Sequence, residues 1–362
     1  MSPKAIPAVR PSYQDRLTAA REGPVRLTSN ENRMGLPQSV RKAIVEAFED
    51  ANIYPDDSGV FLTEALADRH GIEFEGIVHG HGSTDLLRMA VPSLAVGHSR
   101  IRLVMADPTF EQIAGYAEPY GVDLLHVPLE RPSWAHDIDA MRQAVDEGSD
   151  PALVYICNPN NPTGSLTPVP PLEEWILEAP ESHLFVIDEA YFEYVDDPRY
   201  RSLDRLAWER PNVVVLRTFS KIYAMAGLRV GYAVAHPHTA ARLKQFKSGR
   251  GPSHTSNMAA LTALADGQII RRALDANRES KGIVLEVLDE LGLGHIESHT
   301  NFVMHDVHGD VPLYVERMEE AGFLVGRPFP SVPSYNRVSL GTPAEMRSWA
   351  DTLRSFRERG WV

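Results

Sequence analysis

The sequence predicts an α/β chain: a large domain with a mostly parallel sheet flanked by helices, joined to a smaller α+β domain. Three observations carry this. Short apolar runs rich in β-branched residues recur through the middle of the chain. Each is followed by turn formers and then by a stretch with helical spacing, the alternation that builds a parallel sheet. The runs lack an in/out alternation, as strands buried on both faces do.

The segment up to about Gly35 is polar and rich in turn formers, an arm leading into a helix over Pro37 to Ala51. Strand candidates follow at Ile77-Val78, Arg102 to Met105, Leu124 to Val127, Leu153 to Ile156, Leu184 to Ile187 and Val213 to Leu216, with an apolar helix at Leu86 to Leu94. The loop around Gly249, Gly251 and Pro252 marks a boundary. Beyond it come helical stretches from Met258 to Leu291, strand-like pieces at Asn301 to Met304 and Asn336 to Leu340, and a final helix from Pro343. The expected division is 1–51 for the arm and a helix of the smaller domain, 52–245 for the large domain and 246–362 for the small C-terminal domain.

Composition narrows the partners. The chain has 362 residues, 43% hydrophobic and 23% charged, ordinary for a globular protein with a large core. A formal net charge of −13 argues against nucleic acid or anionic membrane as a partner, though local arginines can still seat a small anion. The single cysteine, Cys157, leaves no internal disulfide and no cysteine-rich zinc site. The first ten residues lack the apolar run of a secretory signal, and no run of about 18 apolar residues spans a bilayer. A cytoplasmic location is expected.

The chemistry-bearing residues follow the candidate strands, where open parallel sheets bind ligands. Lys221 sits among apolar neighbours in Thr218-Phe-Ser-Lys-Ile-Tyr-Ala. Burial disfavours its charged form and frees the amine as a nucleophile toward aldehydes. Asp188, at the end of a buried run, needs a cationic partner such as a protonated pyridine nitrogen. Gly82-Ser83-Thr84 ahead of an apolar helix is an anion seat, to which Arg229 adds a bidentate clamp. Each alone has a plainer meaning: a surface lysine, a helix cap, a turn. The order and combination carry the functional reading.

The chain resembles the fold type I aminotransferases, most closely the histidinol-phosphate aminotransferase branch, over nearly its whole length. The matching segments, in order, are Ser29-Asn-Glu-Asn32, Tyr54-Pro55, Gly82-Ser-Thr-Asp85, Asp107-Pro-Thr-Phe110, Asn158-Pro-Asn-Asn-Pro-Thr-Gly164, Asp188-Glu-Ala-Tyr191, Ser220-Lys221, Ala226-Gly-Leu-Arg-Val-Gly231 and Arg337-Val-Ser-Leu-Gly-Thr342. The resemblance implies a seven-stranded, mostly parallel sheet and pyridoxal 5′-phosphate as cofactor, held by Lys221 as a Schiff base. By the same resemblance Lys221 is the proton shuttle. Asp188 keeps the ring nitrogen protonated, Asn161 and Tyr191 bond the phenolic oxygen, and Phe110 stacks on the ring. Gly82, Ser83, Thr84, Thr218, Ser220 and Arg229 hold the phosphate. Tyr54 reaches that phosphate from the other subunit of a homodimer. Arg337 forks onto the substrate carboxylate, and Tyr13 falls where the family has a substrate-facing tyrosine.

Departures concern the substrate. Arg33 replaces a proline, Phe110 stands where tyrosine is frequent, and Gly326 occupies the place of an arginine that seats a substrate phosphate. Arg33 and Arg327 are the candidates to rebuild that cradle, or to meet a second carboxylate. The expected reaction moves an amino group between an amino acid and a 2-oxo acid. The alternatives are histidinol phosphate itself, or another reaction on the same fold: decarboxylation, elimination, cyclisation or oxidation. A regulator that senses the cofactor needs a basic DNA-binding domain, for which the acidic chain offers no sign. His79 and His81, two apart on a candidate strand, share a face without enough further ligands for a metal, and His305 and His308 read as loop or surface residues. Gly80-His-Gly82 lacks the third glycine of a dinucleotide fingerprint.

Overall fold

A computed structural model describes residues 23–362. Its first strand, β1 (Val25–Arg26), lies in a small sheet of its own. The central sheet is built from β2 (Ile77–Gly80), β3 (Arg102–Asp107), β4 (Asp123–Pro128), β5 (Ala152–Cys157), β6 (Leu184–Asp188), β7 (Val213–Thr218) and β8 (Gly231–Val234). Its spatial order is β2-β8-β7-β6-β5-β3-β4. Only β8 runs against the others, so six strands point the same way and share one carboxyl rim. Of the strands in this sheet, the one the sequence reading missed is β8, whose apolar run, Tyr232-Ala-Val234, is too short to stand out beside its glycine.

The continuous apolar runs are explained by burial on both faces. Along β5 and β6, Val154, Ile156, Phe185 and Ile187 enter one core layer, with Leu172 and Trp175 of the helix Val169–Glu178. Leu153, Tyr155 and Val186 enter the other, against Leu86 and Leu87 of the helix Ser83–Ala95. Successive side chains of a strand point to opposite faces, so every strand position is used. The exception is β4 at the sheet edge, where Leu124 is 38% exposed.

The smaller unit has two short sheets: β1 pairs in parallel with β10 (Phe323–Leu324), and β9 (Phe302–Asp306) pairs antiparallel with β11 (Tyr335–Ser339). The helix Pro343–Glu358 covers them, its start fixed by a capping box between Thr342 and Glu345. Trp349, Tyr314 and Phe356 fill this core.

Packing departs from the expected division at both boundaries of the large domain. The helix Gln38–Glu46, expected in the smaller unit, packs on the helix His254–Ala265, and its Val40 joins the core layer of Leu62, Ala259 and Ala260 beneath the large sheet. The N-terminal part gives the smaller unit a strand, β1, in place of a helix. The helix Gln268–Leu291 spans both units, with Ile269 and Ala273 in the large core and Val284, Val287 and Leu288 in the small one. Periodicity identifies an apolar face and does not say which of two cores receives it.

Two histidine expectations are corrected. His305 is fully buried on β9, edge-on to Tyr314 and Trp349. His79 is buried in β2, whereas His81 lies beyond the strand end, exposed beside Asp85, so the two do not share a face. Among the described residues there is no cluster of three or more potential metal ligands, and no helix long and apolar enough to cross a membrane.

Candidate active site

The carboxyl rim of the sheet opens into a cleft of about 710 Å³, closed on its other side by the segment Thr28–Glu31 and by Arg337 and Phe329 of the smaller unit. Lys221 follows β7 and projects into it. Its Nζ donates to the carbonyls of Ser29 at 3.0 Å and Asn30 at 3.3 Å, and stands 5.5 Å from the Tyr191 ring centre. Burial, with the Arg337 guanidinium second, pulls the amine down to about 8.

Asp188 ends β6 and is 3% exposed. Its Oδ2 accepts from the Tyr155 hydroxyl and its Oδ1 from the Ala190 N–H, both at 3.1 Å. Burial pushes this carboxyl up to about 6, against those two hydrogen bonds and the positive charge of Lys221. Such a group is costly unless a cation meets it. Tyr191 is buried three residues on. Its ring is edge-on to Phe302, its oxygen accepts from Asn30 Nδ2 at 2.9 Å, and burial drives its phenol upward.

At one end of the cleft the helix Ser83–Ala95 begins with no side chain capping its N-terminus, which leaves first-turn N–H groups facing the opening. Gly82 precedes it at φ 81°, and a Cβ there would meet the Arg229 guanidinium. A Cβ on Gly231 would stand 2.5 Å from Ser83 N. Both positions therefore require glycine for the close approach of loop, strand and arginine. Arg229 donates to Ser220 Oγ at 3.2 Å and to the His81 carbonyl at 3.2 Å. The Ser220 N–H donates to Thr218 Oγ1 at 3.1 Å. Ser83, Thr84, Thr218 and Ser220 all line the cleft, as does Phe110.

At the other end Arg337, on β11, donates to Asn161 Oδ1 and to the Thr28 carbonyl, while its Nε is buried without a partner. The loop bearing Asn161 is pinned by its neighbour Asn160, which accepts from Thr109 at 2.7 Å and donates to Pro108 O and Thr163 Oγ1.

Arg327 lines the mouth, paired with Glu111 at 2.7 Å. Gly326 has no room for a side chain, because a Cβ would lie 2.5 Å from the Arg337 carbonyl; the cation of this segment is Arg327, one residue later. Arg33 does not enter the cleft. Its guanidinium forks onto Glu345, the capping residue of the last helix, which spends its charge away from the site. Tyr54 does not line the cleft either. It is 74% exposed beneath the Arg250 guanidinium, in a surface stretch that also exposes Phe48, Ile53 and Phe61. Tyr13 lies outside the described residues.

Sequence reasoning gave no role to Asn30. It sits at φ 55°, bonds Tyr191 through its side chain, and meets Ser339 Oγ through both its N–H and its Oδ1. Its presence in the Ser29-Asn-Glu-Asn32 segment was the available signal, and asparagine is among the few residues that tolerate positive φ. Tyr155, Glu31, Glu111 and Phe329 were also missed.

A phosphate seat at a helix start, a buried carboxylate for a ring cation, an aromatic wall and one amine of lowered basicity define a site for pyridoxal phosphate. The residues fit that group in charge, donor set and space. The comparisons agree. Residues 22–353 match the family model for aminotransferase class I and II. The chain is 37% identical over 339 residues to histidinol-phosphate aminotransferase 1 of Cupriavidus pinatubonensis, covering 91% of this chain and 88% of that one. It is 34% identical over 320 residues to histidinol-phosphate aminotransferase of Brevibacillus brevis, covering 88% and 86%. The crystal structure of histidinol-phosphate aminotransferase from Sinorhizobium meliloti in complex with pyridoxal-5′-phosphate superposes with a TM-score of 0.85 at 29% identity, covering 97% and 96%. The chain belongs to aminotransferase class I and II and is a pyridoxal-phosphate-dependent transaminase.

Proposed function

We propose that this transaminase exchanges an amino group between an amino acid and a 2-oxo acid, with Lys221 as the cofactor's attachment point and as proton carrier. The observation that carries this is the pairing, across one cleft, of a lowered-pKa amine with a buried guanidinium: Lys221 Nζ and Arg337. Bound pyridoxal phosphate supplies a carbonyl carbon for amines and an electron-accepting ring. The chain supplies the rest. Gly82, Ser83, Thr84, Thr218, Ser220 and Arg229 bind the phosphate, and Phe110 covers a ring face. The Asp188 carboxylate holds a proton on the ring nitrogen, while Asn161 and Tyr191 orient the ring's phenolic oxygen. Lys221 Nζ, the one lysine among the described residues lining the cleft, takes a proton from the substrate's α-carbon and returns it elsewhere. Arg337 seats a carboxylate through its guanidinium edge, fixing which α-carbon bond faces Lys221.

The donor is an amino acid whose second group meets the mouth. There Arg327 is already neutralised by Glu111, and the other acidic group of the segment opposite, Glu31, is itself paired with Arg26 at 3.5 Å. That set does not attract a phosphate dianion. The second reading, histidinol phosphate as donor, is supported by the names of the relatives at 34% and 37% identity; it needs Arg327 to exchange Glu111 for the substrate. Arg33, held by Glu345, has no part in either. The exposed apolar stretch around Tyr54 supports a homodimer in which Tyr54 reaches the partner's phosphate seat. The acidic chain, with no membrane-crossing helix among the described residues, supports a cytoplasmic location.

The test is to offer single amino acids and histidinol phosphate to the holoenzyme with a 2-oxo acid. Stoichiometric keto acid is the expected product. Release of ammonia, carbon dioxide or peroxide in its place contradicts transfer. Turnover of histidinol phosphate alone selects the second reading.

A further inference from the structure

Asp188 is held by two groups, and only one of them is local. The Ala190 N–H belongs to the turn that follows β6 and accompanies any aspartate in that position. The other is the hydroxyl of Tyr155 on β5, 33 residues away in sequence, which donates to Oδ2 at 3.1 Å. The two strands are in register at this point, with Tyr155 opposite Val186 and Cys157 opposite Asp188. The phenol reaches the carboxylate from the strand next door. Tyr155 is fully buried, its ring packed in the core layer of Met105, Val186 and Leu216, so its hydroxyl has little freedom to turn elsewhere.

We propose that Tyr155 is a positioning residue: its hydroxyl holds Asp188 Oδ2 so that the carboxylate stays anionic and aimed into the cleft. The proposal rests on the reading of Asp188 as the partner of the cofactor's ring nitrogen. A carboxylate with donors behind both oxygens cannot rotate without losing one of them, and its remaining lone pairs face the opening. Burial and the neighbouring carboxylate push the Tyr155 phenol well above its ordinary range. It therefore keeps its proton, and against an ionised carboxylate it donates. A charge-assisted hydrogen bond of this kind is the strong sort. The other titratable groups facing Asp188 are Cys157 on β5, Lys221 after β7, and Glu189 and Tyr191 on the segment of Asp188 itself. The Cys157 thiol donates to the Pro159 carbonyl and also lies beside the Tyr155 hydroxyl, whose hydrogen bond to Asp188 is the one the proposal uses.

The experiment is a double-mutant cycle of Tyr155→Phe and Asp188→Asn, read as the dissociation constant for pyridoxal phosphate and as the pH titration of the bound cofactor's absorbance. Tyr155→Phe is expected to raise the dissociation constant on the order of tenfold and to move the titration midpoint by about one pH unit. In the Asp188→Asn background the same change is expected to alter the constant by less than about twofold, because the charge on which the hydroxyl acts is gone. Tyr314→Phe, which removes a buried hydroxyl from the core of the smaller unit, is expected to leave cofactor affinity unchanged. An equal loss in both backgrounds makes Tyr155 a packing residue and overturns the proposal, as does an unshifted titration. A Tyr155→Phe chain that fails to fold overturns it too, since the ring fills the same space. If Asp188→Asn by itself leaves affinity and absorbance unchanged, the reading of Asp188 falls, and the proposal built on it falls with it.

Discussion

At the floor of the cleft Asp188, Tyr191 and Asn160 are buried and bonded to groups fixed by neighbouring elements, whereas at the mouth Arg327 and Glu111 stand 55% and 58% exposed and hold one another by a surface ion pair. The floor is made of strand ends and the bonded turns directly after them, where the main chain cannot shift far without breaking a ladder. The mouth is made of a loop before β11 and a turn after β3. A group common to a whole enzyme class is best held by the first kind of structure. A substrate that differs between members is best met by the second, where one exchanged charge alters the preference without disturbing the sheet. Surface pairs of this sort contribute about 0–1 kcal/mol, so they are easily re-formed with a ligand.

Substitutions separate the two regions, and the largest effects belong to the floor. Lys221→Ala is expected to lower turnover by about a thousandfold or more, since it removes the proton carrier; steady-state rates with saturating cofactor measure this, and near-normal turnover breaks the assignment. Arg337→Ala is expected to lower kcat/KM for a carboxylate donor roughly a hundredfold, the scale of truncating a buried charge pair. Arg337→Lys should recover only part of that, because an ammonium cannot fork onto a carboxylate.

Gly82→Ala should weaken cofactor binding about tenfold, through the cost of positive φ and the collision with Arg229. Equilibrium titration of the apoenzyme reads it directly. The rate at which apoenzyme captures pyridoxal phosphate carries the signature of the lowered Lys221 amine. Below its pKa the neutral fraction grows about tenfold per pH unit, so capture should climb and level off near pH 8 instead of near 10.5. The same shift acts on stability with a defined sign. Between about 8 and 10.5 the unfolded chain binds more protons at this lysine than the folded apoenzyme does, so its contribution to stability rises with pH across that window. For Asp188, raised to about 6, the folded form binds more protons than the unfolded one from 3.8 to about 6, and stability falls with pH there.

The smallest effect belongs to the mouth. Glu111→Gln should lower KM for a phosphorylated donor severalfold by freeing Arg327, and change a mono-carboxylate donor by less than about twofold. An equal change for both donors removes the mouth from the specificity question.

The contrast between floor and mouth also decides what could be read from the sequence. Lys221, Asp188, Asn161 and the Gly82 turn follow apolar runs closely, and the rule that ligands gather at strand ends points to them from the sequence; Arg229, which precedes the unread strand β8, is marked by the motif resemblance. Arg33 was misplaced because its partner, Glu345, lies 312 residues away, and no local pattern records such a pairing. Tyr155 reads as one more apolar position on a buried strand; only the register of β5 against β6 turns its hydroxyl into a contact with Asp188. The Gly326 departure looked like a lost cation. The close approach of the Arg337 carbonyl leaves no space for a side chain at that position, and the neighbouring cation, Arg327, is paired with Glu111. The helix Gln38–Glu46 showed its apolar face in the sequence but not the core that receives it.

The most direct measurement is borohydride reduction of the holoenzyme followed by peptide mass spectrometry. Reduction fixes the cofactor to the amine that holds it. The expected result is a single pyridoxyl-modified peptide, with the added mass on Lys221. Modification of another lysine, such as Lys247, or of none, contradicts the assignment of Lys221 and the arrangement of the cleft around it.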